Sequence, residues 1–174
     1  MKLIKYAFAL ALLASPVAAQ DAIEGKALRA IDGDTFIMET ASGEIAIRLW
    51  AVDAPELSDW PWGPRSKFTL EALLARGGLK VRCERKGKSH ERTVAQCLTS
   101  DGRDLGAMMI RAGNAIEYHR FGKGVYRNDE KQAQQERSGI WRDFPSPFLP
   151  RTDEENRFGI FKPAPGASPY LPTR

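Results

Sequence analysis

Residues 35 to 52 read TFIMETASGEIAIRLWAV, and this stretch narrows the possible folds more than any other in the chain. Ile45, Ile47, Leu49 and Ala51 alternate with Glu44, Ala46, Arg48 and Trp50, the period of two of a strand with one buried face. A turn at Ala41-Ser42-Gly43 joins that strand to TFIMET before it. The alternation sends Arg48 to the side away from the Ile/Leu face. At the open ends of this hairpin the chain gathers Asp32, Asp34, Asp53 and Glu56. Like charges held close are costly unless a cation sits among them. Oxygen ligands of this kind suit hard ions such as Ca²⁺ or Mg²⁺. Each fragment alone has an ordinary reading, since Asp-Gly marks turns and DAPE can open a loop.

The rest of the chain supplies more strands. EGKALRAI reads as a strand before the hairpin, and LKVRCE with TVAQCLTS reads as a second hairpin, closed by Asp101-Gly102. Three helices are expected. GPRSKFTLEALLARGG has Pro64 near its first turn and stops at Gly77-Gly78. DLGAMMIRAGNA starts at the cap Asp104, with Leu105, Met108, Met109 and Ala112 on one face. YRNDEKQAQQERSGIW has Asn128 as its cap, ends at Ser138-Gly139, and carries an apolar stripe so thin that it should lie on the surface, pinned by Tyr126, Ile140 and Trp141. Five strands in two hairpin-rich groups with these helices suggest an α+β fold, of which a five-stranded Greek-key β-barrel of the oligonucleotide/oligosaccharide-binding (OB) type with three helices is one candidate.

Three regions follow from composition. Residues 1–19 have the form of a secretory signal: Lys2 and Lys5, an apolar run from Tyr6 to Leu13, and a small-residue cut site after Ala19. The apolar run is too short to span a bilayer comfortably, and no Cys follows it to carry a lipid. Export to the periplasm or beyond is expected, with no stable membrane association after cleavage. Residues 20–142 form the folded domain. Residues 143–174 hold seven of the chain's eleven prolines and read as an extended arm. The full chain is formally +4, and loss of Lys2 and Lys5 leaves +2, so net charge alone says little about a nucleic-acid partner. The two cysteines, Cys83 and Cys97, fall in the exported part and suggest one disulfide bridging the second hairpin, with two buried free thiols as the other reading.

Taken in order, IDGDT, IRLWAVDAPE, GPRSKF, HERTVAQC and GIW resemble the staphylococcal nuclease (thermonuclease) family over roughly residues 24 to 142. The resemblance implies an OB-fold enzyme that cuts DNA and RNA with one Ca²⁺. It implies Asp34 and Asp53 as metal carboxylates and the Ala54 carbonyl as a further ligand. Glu56 would orient or deprotonate the attacking water, and Arg48 and Arg92 would hold the phosphate. Asp32 would serve the turn. Where the family often has Thr this chain has Ala54, a change that a main-chain ligand survives. Where it usually has Tyr-Gly this chain has His90-Glu91, so His90 is a candidate substrate contact in place of the tyrosine. Tyr118, with Trp50, Trp60 and Trp62, is a further candidate for stacking bases. The protein is expected to act as a monomer. The competing class is a non-catalytic OB-fold module that binds single strands, which would need neither the metal carboxylates nor Glu56.

Overall fold

The computed structural model describes residues 22–142; the predicted signal and arm lie outside the described residues. Its elements in chain order are β1 (Ala22–Ala30), β2 (Thr35–Thr40), β3 (Gly43–Leu49), β4 (Val52–Asp53), α1 (Trp62–Arg76), β5 (Lys80–Ser89), β6 (Arg92–Thr99), α2 (Leu105–Arg111), β7 (Ile116–Glu117), α3 (His119–Gly122), α4 (Arg127–Gln135) and a 3-10 turn (Gly139–Arg142). Five strands close a barrel in the order β1-β2-β3-β6-β5, and β4 pairs with β7 in a separate two-stranded sheet. All barrel pairings are antiparallel except β3 with β6. This is the α+β barrel of OB type that the strand pattern offers as a candidate and the resemblance implies.

Period-two alternation fills the barrel. Phe36, Met38, Ile47, Leu49, Val81, Cys83, Ala95 and Cys97 all belong to one buried cluster, together with Leu70 and Leu74 of α1 and Leu105, Met109 and Ile110 of α2. Cys83 lies directly opposite Cys97 across β5 and β6, and the two form a disulfide wholly buried in that core. A second cluster, Trp62, Ile116, Ala133, Ile140 and Trp141, pins α4 and the 3-10 turn to the start of α1. Trp62 is therefore a core residue and not a surface available for stacking. Ala133 is the buried residue of α4, as its thin stripe requires.

Several local expectations need correction. The second hairpin turns at His90-Glu91, with Ser89 paired to Arg92, because β5 runs on through Ser89. Asp101-Gly102 instead turns the chain from β6 into α2, where the Asp104 side chain accepts the Ala107 N–H. The cap position of α4 is Tyr126 and not Asn128; its hydroxyl donates to both Asp104 oxygens, 3.1 Å each, which draws the helix start onto α2. The short elements β4, β7 and α3 were not legible, since two to four residues are too few to show a period.

Candidate active site

The site begins at the turn between β1 and β2. Both Ile31 and Asp32 donate their N–H groups to the Thr35 carbonyl, and the Asp32 carboxylate accepts the Asp34 N–H at 3.0 Å. Asp32 is thus the turn residue that the sequence suggests. A Cβ on Gly33 would lie 1.8 Å from Ser66 Oγ and 2.7 Å from Ala54 Cβ. The glycine is required because the side chains of Ser66 on α1 and of Ala54 after β4 leave no room there for a Cβ. Ser66 is itself buried and donates its hydroxyl to the Asn114 carbonyl at 2.6 Å, which ties α1 to the chain after α2.

The second carboxylate arrives through β4. After Leu49 the chain leaves β3 at Trp50 and passes Ala51, whose φ of 58° is left-handed. Val52 and Asp53 then pair with Glu117 and Ile116. Asp34 and Asp53 are only 3% and 2% exposed. The Asp34 carboxylate accepts from Thr35 Oγ1 at 2.8 Å, from the Arg48 guanidinium at 2.8 Å and from the Ala54 N–H at 3.3 Å. The same guanidinium reaches to 3.6 Å from Asp53. Burial pushes the Asp34 carboxyl up to about 7 from its ordinary 3.8; Arg48 and the Thr35 hydroxyl pull it down, and Asp32 and Asp53 add to the rise. A second positive charge beside this pair would favour its ionised form and oppose that rise.

Arg48 stands opposite Thr35 on β2 and opposite Val94 on β6, facing away from the barrel core. Arg92 lies two residues before Val94, so the pleat turns it to the same face. His90 and Glu91 sit on the exposed hairpin turn beside it, His90 with a left-handed φ of 54°. Glu56 is exposed, two residues past Ala54 and the buried Pro55. Its backbone is fixed: its N–H donates to Asp59 Oδ2 at 3.0 Å, and a Cβ on Gly63 would lie 1.9 Å from its carbonyl oxygen. Half-buried Tyr118 donates its N–H to the Ala51 carbonyl and meets Phe121 edge-on at 4.9 Å. Half-buried Trp50 is flanked by Tyr126 and by the Lys86 ammonium, and Trp60 is exposed.

The fold therefore joins Asp34, Arg48, Asp53 and Ala54 directly, sets Arg92 on their face, and holds Glu56 by its backbone at the rim. Among the described residues no third His, Cys, Asp or Glu completes a metal-ligating cluster. An all-oxygen set of two carboxylates and a carbonyl nevertheless fits a hard cation that keeps several waters. Sequence reasoning did not find Gly33, Ser66 or Gly63, which act by close approach. Only the Asp-Gly turn hinted at one of them.

The sequence model of the family described as Staphylococcal nuclease homologue matches residues 46–143. The chain is 33% identical over 144 residues to the succinoglycan biosynthesis protein ExoI of Rhizobium meliloti (strain 1021), covering 77% of this chain and 72% of that protein. It is 30% identical over 129 residues to an uncharacterized endonuclease of Escherichia coli O157:H7, covering 74% and 82%. To the micrococcal nuclease of Shigella flexneri it is 30% identical over 129 residues, covering 68% and 74%. The family match runs from within β3 through the last turn and takes in Arg48, Asp53, Ala54, Glu56 and Arg92; Asp34 lies outside it, before β2. A match over more than half the chain, on a closed five-stranded barrel, is a family relationship: the chain belongs to the staphylococcal nuclease homologues.

Proposed function

We propose that this chain is an exported, Ca²⁺-dependent nuclease that hydrolyses phosphodiester bonds of DNA, RNA or both. The observation that carries the reading is the burial of Asp34 and Asp53 side by side beneath Arg48. Two carboxylates buried together are costly unless cations compensate them, and clusters of buried, perturbed charges gather at functional sites. Asp34, Asp53 and the Ala54 carbonyl would hold the Ca²⁺. The ion would supply Lewis-acid stabilisation of the phosphoryl oxygens.

The chain's own residues do the rest. Arg48 and Arg92, on one face, hold phosphate oxygens and meet the negative charge that grows on them in the transition state. Glu56, exposed and fixed by its backbone, takes a proton from the attacking water. His90 and Tyr118 are proposed contacts to the rest of the strand. Export rests on the signal at residues 1–19, and the buried disulfide is consistent with an oxidising compartment.

The test is incubation of the protein from Gln20 onward with single-stranded DNA and with RNA, with Ca²⁺ and with a chelator. Cleavage with Ca²⁺ and none with chelator is the expected result. Binding without cleavage, Ca²⁺ supplied and disulfide intact, would overturn the enzyme reading in favour of a binding module. Recovery of a periplasmic or secreted form that begins at Gln20, by mass, checks the export.

A further inference from the structure

We propose that Glu117 is a positioning residue: its buried carboxylate locks the loop after β7 onto Ala51 and thereby aims Asp53. The proposal rests on the reading of Asp53 as a metal carboxylate.

Asp53 belongs to a strand of two residues, Val52–Asp53, whose partner β7 is equally short. A ladder of that length is marginal by itself, so the aim of Asp53 must come from what surrounds it. Glu117 pairs with Val52, and its neighbour Ile116 pairs with Asp53. Glu117 is only 7% exposed. Its own N–H donates to the Glu130 carboxylate of α4 at 2.8 Å, which holds β7 from behind. Its Oε1 accepts the Gly124 N–H at 2.6 Å, which closes residues 117 to 124 into a tight loop.

That loop bears on Ala51. Tyr118 donates its N–H to the Ala51 carbonyl at 2.8 Å. A Cβ on Gly122 would stand 2.3 Å from Glu117 Oε1 and 2.9 Å from Ala51 Cβ, so carboxylate, glycine and alanine are packed in one stack. Ala51 needs such support. Its φ of 58° is uncommon for a residue with a Cβ and persists only where the surroundings impose it. If the loop relaxes, Ala51 can return to an ordinary conformation, and the chain two residues on, which carries the Asp53 carboxylate, turns with it.

The experiment compares the parent with E117A, E117Q and G122A. Ca²⁺ affinity is read by calorimetry, half-saturating Ca²⁺ and kcat in nuclease assays, and folding by the thermal midpoint. E117A removes the acceptor, and its Ca²⁺ affinity should fall about tenfold or more, the usual scale for residues that orient metal ligands. Its kcat at saturating Ca²⁺ should stay within a few-fold of the parent. E117Q keeps an oxygen acceptor for the Gly124 N–H and should recover most of the affinity. G122A keeps the carboxylate but drives it from its place, so it should share the E117A defect; it also serves if E117A does not fold. A folded E117A or G122A with the parent's Ca²⁺ affinity would overturn the proposal, as would an E117Q as impaired as E117A. If the parent bound no Ca²⁺ at all, the metal reading itself would fail, and the positioning role with it.

Discussion

At the scale of single residues, two carboxyl groups divide the proposed chemistry, and their burial separates them. Asp34 is buried and bonded on both oxygens, whereas Glu56 is exposed. Glu56→Gln keeps the shape and removes the base, so it should still bind Ca²⁺ and nucleic acid and yet lose roughly 10²–10⁴-fold in rate. Asp34→Ala should instead weaken Ca²⁺ binding, with excess Ca²⁺ restoring part of the rate; a calcium titration of activity separates the two. Arg92→Lys should lower turnover more than stability, because Lys keeps the charge and loses the planar fork that grips two phosphate oxygens. Parent-rate hydrolysis by that variant would remove Arg92 from the transition state. The pH dependence follows from Asp34, held near 7 in the fold against 3.8 in the unfolded chain. Between those values the folded chain binds a proton that the unfolded chain has released. The contribution of Asp34 to metal-free stability is therefore present below about pH 4 and lost as pH rises through 7. Melting of metal-free protein at pH 5 and pH 8, with the Ca²⁺-loaded protein as control, reads this: the metal-free midpoint should drop at pH 8 and Ca²⁺ should offset the drop.

At the scale of elements, close packing between short segments sets the site. The turn at Gly33, the loop after β4 and α1 meet with no room for a side chain, and Gly63 plays the same part where α1 starts against Glu56. Across the barrel, the β5–β6 hairpin that ends in Arg92 is bridged by Cys83 and Cys97, fourteen residues apart. Closing a loop of that length contributes about 3 kcal/mol in the chain-entropy picture. The unreduced, denatured protein should show no titratable thiol. Replacing both cysteines by Ala should lower the unfolding free energy by at least about that amount, since it also empties core volume, measured in denaturant, while leaving the Asp34 site in place. Two free thiols would contradict the bridge.

At the scale of the whole molecule, the described residues hold two buried clusters, one inside the barrel and one that fastens α4 and the last turn to α1. The second cluster ends at Trp141, just before the Pro-rich residues from 143 on. The last of these, 163 to 174, carry four prolines and few large apolar groups. Their deletion should leave nuclease activity and the melting temperature nearly unchanged. A large loss of activity would make the tail part of the site or of its support.

Period-two alternation over TFIMET and EIAIRL is a local property, so the first hairpin and the outward Arg48 are legible in the chain; closure of the barrel rests on pairing of distant strands, and the alternation leaves it as one candidate fold that the family resemblance selects. Stops and caps mark α1 and α2, and strand ends bring Asp34 and Asp53 within reach of each other, whereas the place of Arg48 and Ala54 beside them comes from the resemblance to the family. The sequence misplaced the second hairpin turn, because Asp101-Gly102 has stronger local turn chemistry than His90-Glu91, and only the pairing of Ser89 with Arg92 decides between them. Other features exist only once the chain is folded. The pairing of β4 with β7, the left-handed Ala51, the buried Glu117 and the glycines at 33 and 63 depend on segments far apart in the chain meeting at contact distance. No period or motif records such a meeting, since each segment is too short to carry a pattern and its conformation is imposed by its neighbours.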